Sequence, residues 1–406
     1  MTGPPSSRIQ TLRSSTTVIL EDPPDLRSLI PAAGGLAWLS EALCLIGEGP
    51  VLSIDPGTGP GRFHRGAQVV ATLLEGAEIA DEVNLPGTGP VVFGSWTFDE
   101  ESAGSRLVIP STVYGFGEGL AWRTEVAFID PAPEEPFEER RTAGGLTPQG
   151  YIGAVTEAVA AINAGRVDKV VLARKTEVEA ADDIHEGELA GRLFDAYPGC
   201  FVFCFQHLVG ASPELLVRRV DDLVDSVPLA GSTRRGSSPN EDAELGRRLQ
   251  ESHKNMAEHA LAVETVVDKL SPWCSELIRE PEPSLLLLAN LQHLSTKIQG
   301  TLKGSPTALD LAGALHPTAA VCGVPEKQAL EMIRELEHFD RGRYSGPVGW
   351  LDHRGDGEWA IALRCARIRG KTAELYAGAG IVAESDPVDE LEETTLKLLA
   401  VLDTLP

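Results

Sequence analysis

The strand-forming runs of this chain come in groups between helices, and that grouping constrains the fold more than any other feature. The runs VDKVVLARKTEV (167–178), CFVFCFQ (200–206), ELLVRRV (214–220) and LVDSVPLAG (223–231) make one group. WAIALRCARI (359–368) and AELYAGAGIV (373–382) make another. A doubly wound parallel sheet needs a helical crossover between successive strands, whereas antiparallel strands need only tight turns. The pattern therefore predicts an α+β fold built on antiparallel sheets.

Helices are expected over 147–165, 239–270 and 387–404. In the first, Thr147 can cap, Pro148 suits the first turn, Ile152, Val155, Val159 and Ile162 make an apolar stripe, and Gly165 can end it. Residues 1 to about 110 read as a mixed region of strands and turns. The acidic run DPAPEEPFEERR (130–141) reads as a solvated connector. This gives a strand-rich N-terminal part, 1–140, and a catalytic part, 146–404.

The 406 residues carry a net charge of −25, which excludes non-specific nucleic-acid binding and attachment to anionic membranes. An anionic substrate would be repelled by that field, so its site must gather positive charge of its own. Six cysteines show no CxxC pair, and Cys200 and Cys204 stand roughly 13 Å apart along a strand. They are expected to be reduced thiols. With no apolar run of spanning length and no signal-like start in MTGPPSSRIQ, the expected location is the cytoplasm.

Several residues could do chemistry, and each has a bland alternative. Lys169 alternates with Val167, Val171 and Ala173 on a strand; it either snorkels to solvent or is desolvated enough to act as a base. Glu214 follows Pro213 at the mouth of a strand, where it is either exposed or a buried general acid. Glu390, Glu393 and Lys397 share a helix face, and Glu258 stands beside His259 on another. These are surface charges or oxygen ligands for a hard ion such as Mg2+. Arg364 interrupts AIALRCA, paired with an internal carboxylate or with a bound anion. The GAG of 378–380 is either a packing element or a close approach of backbone to an anion.

Taken in order, KVVLAR (169–174), SPELLV (212–217), PLAGS (228–232), AEH (257–259), LQHLSTKIQG (291–300), LHPTAAVCGVP (315–325), RGRYSGPVGW (341–350), AIALR (360–364), YAGAGIV (376–382) and SDPVDELEETTLK (385–397) resemble the chorismate-utilising enzymes. These include the anthranilate, aminodeoxychorismate, isochorismate and salicylate synthases. The resemblance covers about 146–404. It implies one large chorismate-binding domain of the anthranilate synthase component I type, with sheets packed face to face and helices outside.

Within that family, Lys169 stands where water-using members have a lysine and amine-adding members a glutamine. Ala230 replaces the nucleophilic lysine of aminodeoxychorismate synthase, and Ala320 replaces a threonine of salicylate synthases. The resemblance thus implies isochorismate synthase, an isomerase, with salicylate synthase as the alternative and menaquinone or siderophore biosynthesis as the destination. It implies Lys169 as base and Glu214 as acid. Glu258, Glu390 and Glu393 would hold Mg2+. Ser232, His293, Ala320, Tyr344, Arg364, Gly378, Ala379, Gly380 and Lys397 would bind chorismate. A monomer without a glutaminase subunit is expected. Asn255 departs from an acidic residue found three positions before Glu258 in some members.

Overall fold

The computed structural model describes residues 11–129 and 144–406; the first ten residues and the acidic run 130–141 lie outside them. The long strand Arg106–Gly117 is a fork. One of its edges runs along Leu43–Ile54, and the other pairs first with Val91–Ser95 and then with Leu120–Ile129. Two antiparallel arms leave this fork. The first passes from Leu43–Ile54 through Leu36–Leu39, Phe201–Phe205, Leu208–Ser212, Cys365–Arg369 and Thr372–Ile381 to Lys169–Glu179. The second passes from Val91–Ser95 through Pro347–Asp352, Gly357–Ile361, Leu215–Val220, Leu223–Val227 and Ile298–Leu302 to Cys274–Arg279.

The arms face each other across an aromatic core. Trp38, Phe203 and Phe205 come from the first arm, Trp350 and Val348 from the second. Helices cover the outer faces. Tyr151, Val155, Val263, Val266 and Leu309 pack over Leu216, Trp359 and Ile361, while Leu189, Leu193, Leu398 and Val401 pack beside Val202, Val209 and Leu375. This is the expected arrangement of facing sheets with helices outside. A small second sheet of Leu229–Arg234, Leu291–Ser295 and Ser284–Leu287 stands apart.

The helix Pro148–Asn163 starts and stops as its sequence predicts. Thr147 accepts from the Gly150 amide, and Gly165 at φ 73° closes the end with bonds from Gly165 N to Ile162 O and from Arg166 N to Ala161 O. Its buried face differs from the predicted stripe. Tyr151, Ala154, Val155, Ala158 and Ala161 are buried, whereas Ile152, Val159 and Ile162 are half-buried. Small alanines let the helix approach its neighbours closely, and the larger side chains fill the flanks.

Three expected elements divide. WAIALRCARI becomes Gly357–Ile361 and Cys365–Arg369, and LVDSVPLAG becomes Leu223–Val227 and Leu229–Arg234. The helix over 239–270 becomes Pro239–Glu251 and His253–Leu270. Ser252 ends the first of these and caps the second, accepting from the Asn255 amide. The breaks share a purpose. The first carries the chain between the two facing arms, and the second carries it from the large sheet to the small one.

Candidate active site

One pocket forms where the two strand breaks meet the helices His253–Leu270 and Pro387–Leu402. Glu214, Ser232, Glu258, His293, Ala320, Tyr344, Arg364, Gly378, Gly380, Glu393 and Lys397 line it. Lys169, Ala379 and Glu390 are not among its lining. Strand alternation explains Ala379: its methyl group enters the helix-side core while Gly378 and Gly380 face the pocket. The placement of Lys169 and Glu390 has other causes.

Glu214 sits between Leu208–Ser212 and Leu215–Val220, its amide donating to Ser212 Oγ and its carbonyl accepting from Ile361 N. Both backbone groups are engaged, so the side chain is aimed without strain. Burial pushes its carboxyl up to about 7, against the opposing pull of the Leu229 backbone and of Lys169, Arg364 and Lys397. Near neutrality this acid keeps its proton part of the time.

Lys169 opens the strand Lys169–Glu179 and is wholly enclosed. Val167, expected to continue its line, lies before the strand and packs in the outer core. Lys169 Nζ stands 3.1 Å from Glu258 Oε1, in charge contact but outside hydrogen-bond alignment. Gly380 makes room for both groups, because a Cβ there would lie 2.2 Å from Glu258 Oε1 and 3.0 Å from Lys169 Cε. A side chain at 380 would displace the pair.

Arg364 is the largest departure from expectation. It stands in the break between Gly357–Ile361 and Cys365–Arg369 at φ 46°, a left-handed conformation uncommon for a long side chain. Its guanidinium is buried. Nη2 donates to His293 Nε2, while Nε and Nη1 have no partner among the described residues. A buried guanidinium with two unmatched nitrogens calls for an anion. Tyr344 stacks on Tyr376 at 5.1 Å and places its hydroxyl near Gly378. Lys397 donates to Gly378 O at 2.9 Å and to Glu393 Oε1 at 2.6 Å.

The last helix, Pro387–Leu402, is capped by Asp386, with Ser385 bonding Val382 N instead. Glu390 turns toward Lys254, Nζ to Oε1 2.8 Å, and both burial and the charge of Glu393 push its carboxyl up. No three His, Cys, Asp or Glu groups converge as ligands among the described residues. The residues still fit a hard cation. Glu258 and Glu393 both open into the pocket, carboxylate oxygens suit Mg2+, and such an ion leaves most positions to water and substrate. Asn255 bonds Ser252 through its amide side chain and serves its own helix cap.

Some residues of the site escaped the sequence reading. Lys254 lies one helical turn before Glu258, and that spacing was the available signal. Leu363, Tyr376 and Leu229 line the pocket as neighbours of motif residues. Cys322, His259 and His316 are buried outside the pocket lining. His259 bonds Thr296, His316 bonds the Phe98 carbonyl, and the Cys322 thiol is pushed up to about 12 by burial. All six cysteines are free thiols. No helix among the described residues is long and apolar enough to cross a membrane.

The chain is similar to several known proteins. The family described as chorismate binding enzyme matches residues 122–406. Isochorismate synthase DhbC of Bacillus subtilis (strain 168) is 38% identical over 333 residues, spanning 77% of this chain and 80% of that protein. Isochorismate synthase EntC of Escherichia coli (strain K12) is 40% identical over 319 residues, spanning 77% and 81%. The crystal structure of DhbC from Bacillus anthracis matches with a TM-score of 0.79 and 32% identity, covering 93% of this chain and 98% of that one. Anthranilate synthase component I from Streptococcus pneumoniae TIGR4 shares the fold at a TM-score of 0.71 and 21% identity, covering 95% and 94%. With a matching profile over most of its length, relatives of this similarity and the same facing sheets, the chain belongs to the chorismate-binding enzyme family.

Proposed function

We propose that the protein is a Mg2+-dependent isochorismate synthase that interconverts chorismate and isochorismate. One observation supports this most directly: two unmatched nitrogens of the buried Arg364 share a pocket with a carboxyl, Glu214, whose proton is retained near neutrality. The first requires an anionic substrate and the second supplies a general acid. The named relatives give that pairing its substrate.

In the forward direction a water oxygen bonds to C2 of the ring, and its proton passes to Lys169 Nζ. The two ring double bonds shift by one position and the C4–O bond breaks. Glu214 delivers its proton to the departing oxygen, which leaves as water, so atoms and charge balance. Glu258, 3.1 Å from Nζ, stabilises the ammonium that forms. Arg364, Tyr344 and the backbone of Gly378 to Gly380 hold the pyruvyl carboxylate. Glu258 and Glu393 would hold Mg2+, which when bound neutralises the ring carboxylate. A lysine base for water removes any need for an ammonia-supplying glutaminase, and we read the enzyme as a cytoplasmic monomer.

The test incubates purified protein with chorismate, with and without MgCl2, and separates the products chromatographically. Isochorismate formed only with Mg2+ is expected. Salicylate with pyruvate as the main product, or no turnover, refutes the assignment.

A further inference from the structure

The geometry points to His293 as a positioning residue that sets the hydroxyl of Ser232 as a hydrogen-bond donor to a carboxylate of the bound substrate. Ser232, His293 and Arg364 form a chain across the pocket wall. Arg364 Nη2 bonds His293 Nε2, and His293 Nδ1 lies 2.9 Å from Ser232 Oγ. A guanidinium has N–H donors and no acceptor, so it can bond only a bare ring nitrogen. Nε2 must therefore carry the lone pair, and in the neutral ring the proton sits on Nδ1.

That proton decides the next link. Nδ1–H donates to Ser232 Oγ, whose lone pair is thereby used, and the serine's own O–H is left to point elsewhere. Burial and the charges of Arg364 and Lys397 keep the ring uncharged. Ser232 lines the pocket on the strand Leu229–Arg234, directly opposite His293 in the pairing register, where a bulge precedes it. Ser232 and Arg364 both line this pocket, so the O–H is available to a group bound beside the guanidinium. An anionic group held by Arg364 then takes a further donor from Ser232, whose hydroxyl is oriented through the same guanidinium. In this arrangement both ring nitrogens of His293 are taken, one by Arg364 and one by Ser232. The ring transmits the orientation of Arg364 to Ser232.

The assignment of a carboxylate rests on the chorismate reading, whereas the ring tautomer does not. Two measurements separate them. In the ligand-free full chain labelled with 15N-histidine, and with the His293 signal identified by its loss in His293→Phe, the ring is expected to show a protonated Nδ1 and a bare Nε2 at pH 7. His316 should show the opposite tautomer, because its Nε2 must donate to the Phe98 carbonyl. A protonated Nε2 or an imidazolium at His293 overturns the proposal whatever the substrate.

The kinetic arm compares Ser232→Ala, His293→Asn and the double variant on chorismate. Each single change should lower kcat/KM by about 10- to 100-fold, chiefly through KM, as the loss of one hydrogen bond to a charged group does. The double variant should fall within about twofold of Ser232→Ala, because His293 acts only through that hydroxyl. Losses that multiply, or a His293→Asn effect confined to thermal stability, overturn the positioning role. Absence of all turnover in the wild type counts against the chorismate reading, and the tautomer result still stands or falls by itself.

Discussion

Replacing Glu214 by Gln removes an ionisable group and leaves its shape nearly unchanged. The carboxyl has an ordinary value of 4.5 and is pushed up to about 7 in the folded protein by burial. A rise of that size corresponds to about 3 kcal/mol. The sign follows from proton binding. Because the folded value is the raised one, the folded state holds more protons than the unfolded state between about pH 4.5 and 7. Stability from this group is full below that window, falls as pH rises through it, and is lost above. Glutamine cannot ionise and escapes the loss. Urea unfolding of the wild type and Glu214→Gln at pH 5, 6, 7 and 8 should therefore show the variant gaining about 2 to 3 kcal/mol relative to wild type across the series. Wild-type kcat/KM should fall roughly tenfold per pH unit above 7, as the acid loses its proton. The variant should be inactive throughout. Parallel stability curves, or an active Gln variant, would refute both the burial argument and the role of the acid.

Lys169→Gln should lose turnover by about 10²- to 10⁴-fold while the circular dichroism spectrum stays native; unchanged turnover would remove Lys169 from the mechanism. Gly380→Ala puts a methyl group 2.2 Å from Glu258 Oε1, the far end of a side chain that can swing aside. The fold should survive, with loss of activity and weaker Mg2+ binding by isothermal titration; a variant with wild-type Mg2+ affinity would show that Glu258 is no ligand. Dialysis against EDTA should abolish turnover and MgCl2 restore it, and turnover that survives chelation would sink the metal requirement.

Local signals in the chain were legible because they involve only neighbouring residues. Thr147 and Gly165 act within one helical turn, and each does what its type and position imply. The grouping of strands announced antiparallel sheets for the same reason. Arg364 shows where that reading stops. Strand-forming residues continue on both sides of Arg364 in WAIALRCARI, yet the chain must leave one sheet and enter the facing one, and no local periodicity records that crossing. The stripe of the helix Pro148–Asn163 was misplaced in a similar way. Partners decided which face came closest, and they favoured alanine over isoleucine.

By itself, then, the sequence determined the caps, the α+β class, the ordered motifs and the residue types available for acid, base and anion binding. Only the tertiary structure decided that Glu214 is buried enough to keep its proton. It also placed Glu258 against Lys169 in the space left by Gly380, and turned Glu390 toward Lys254 rather than into the pocket. The physical reason is that proton affinity, charge pairing and close approach depend on what surrounds a group in space, and those surroundings come from segments as far apart as residues 169, 258 and 380.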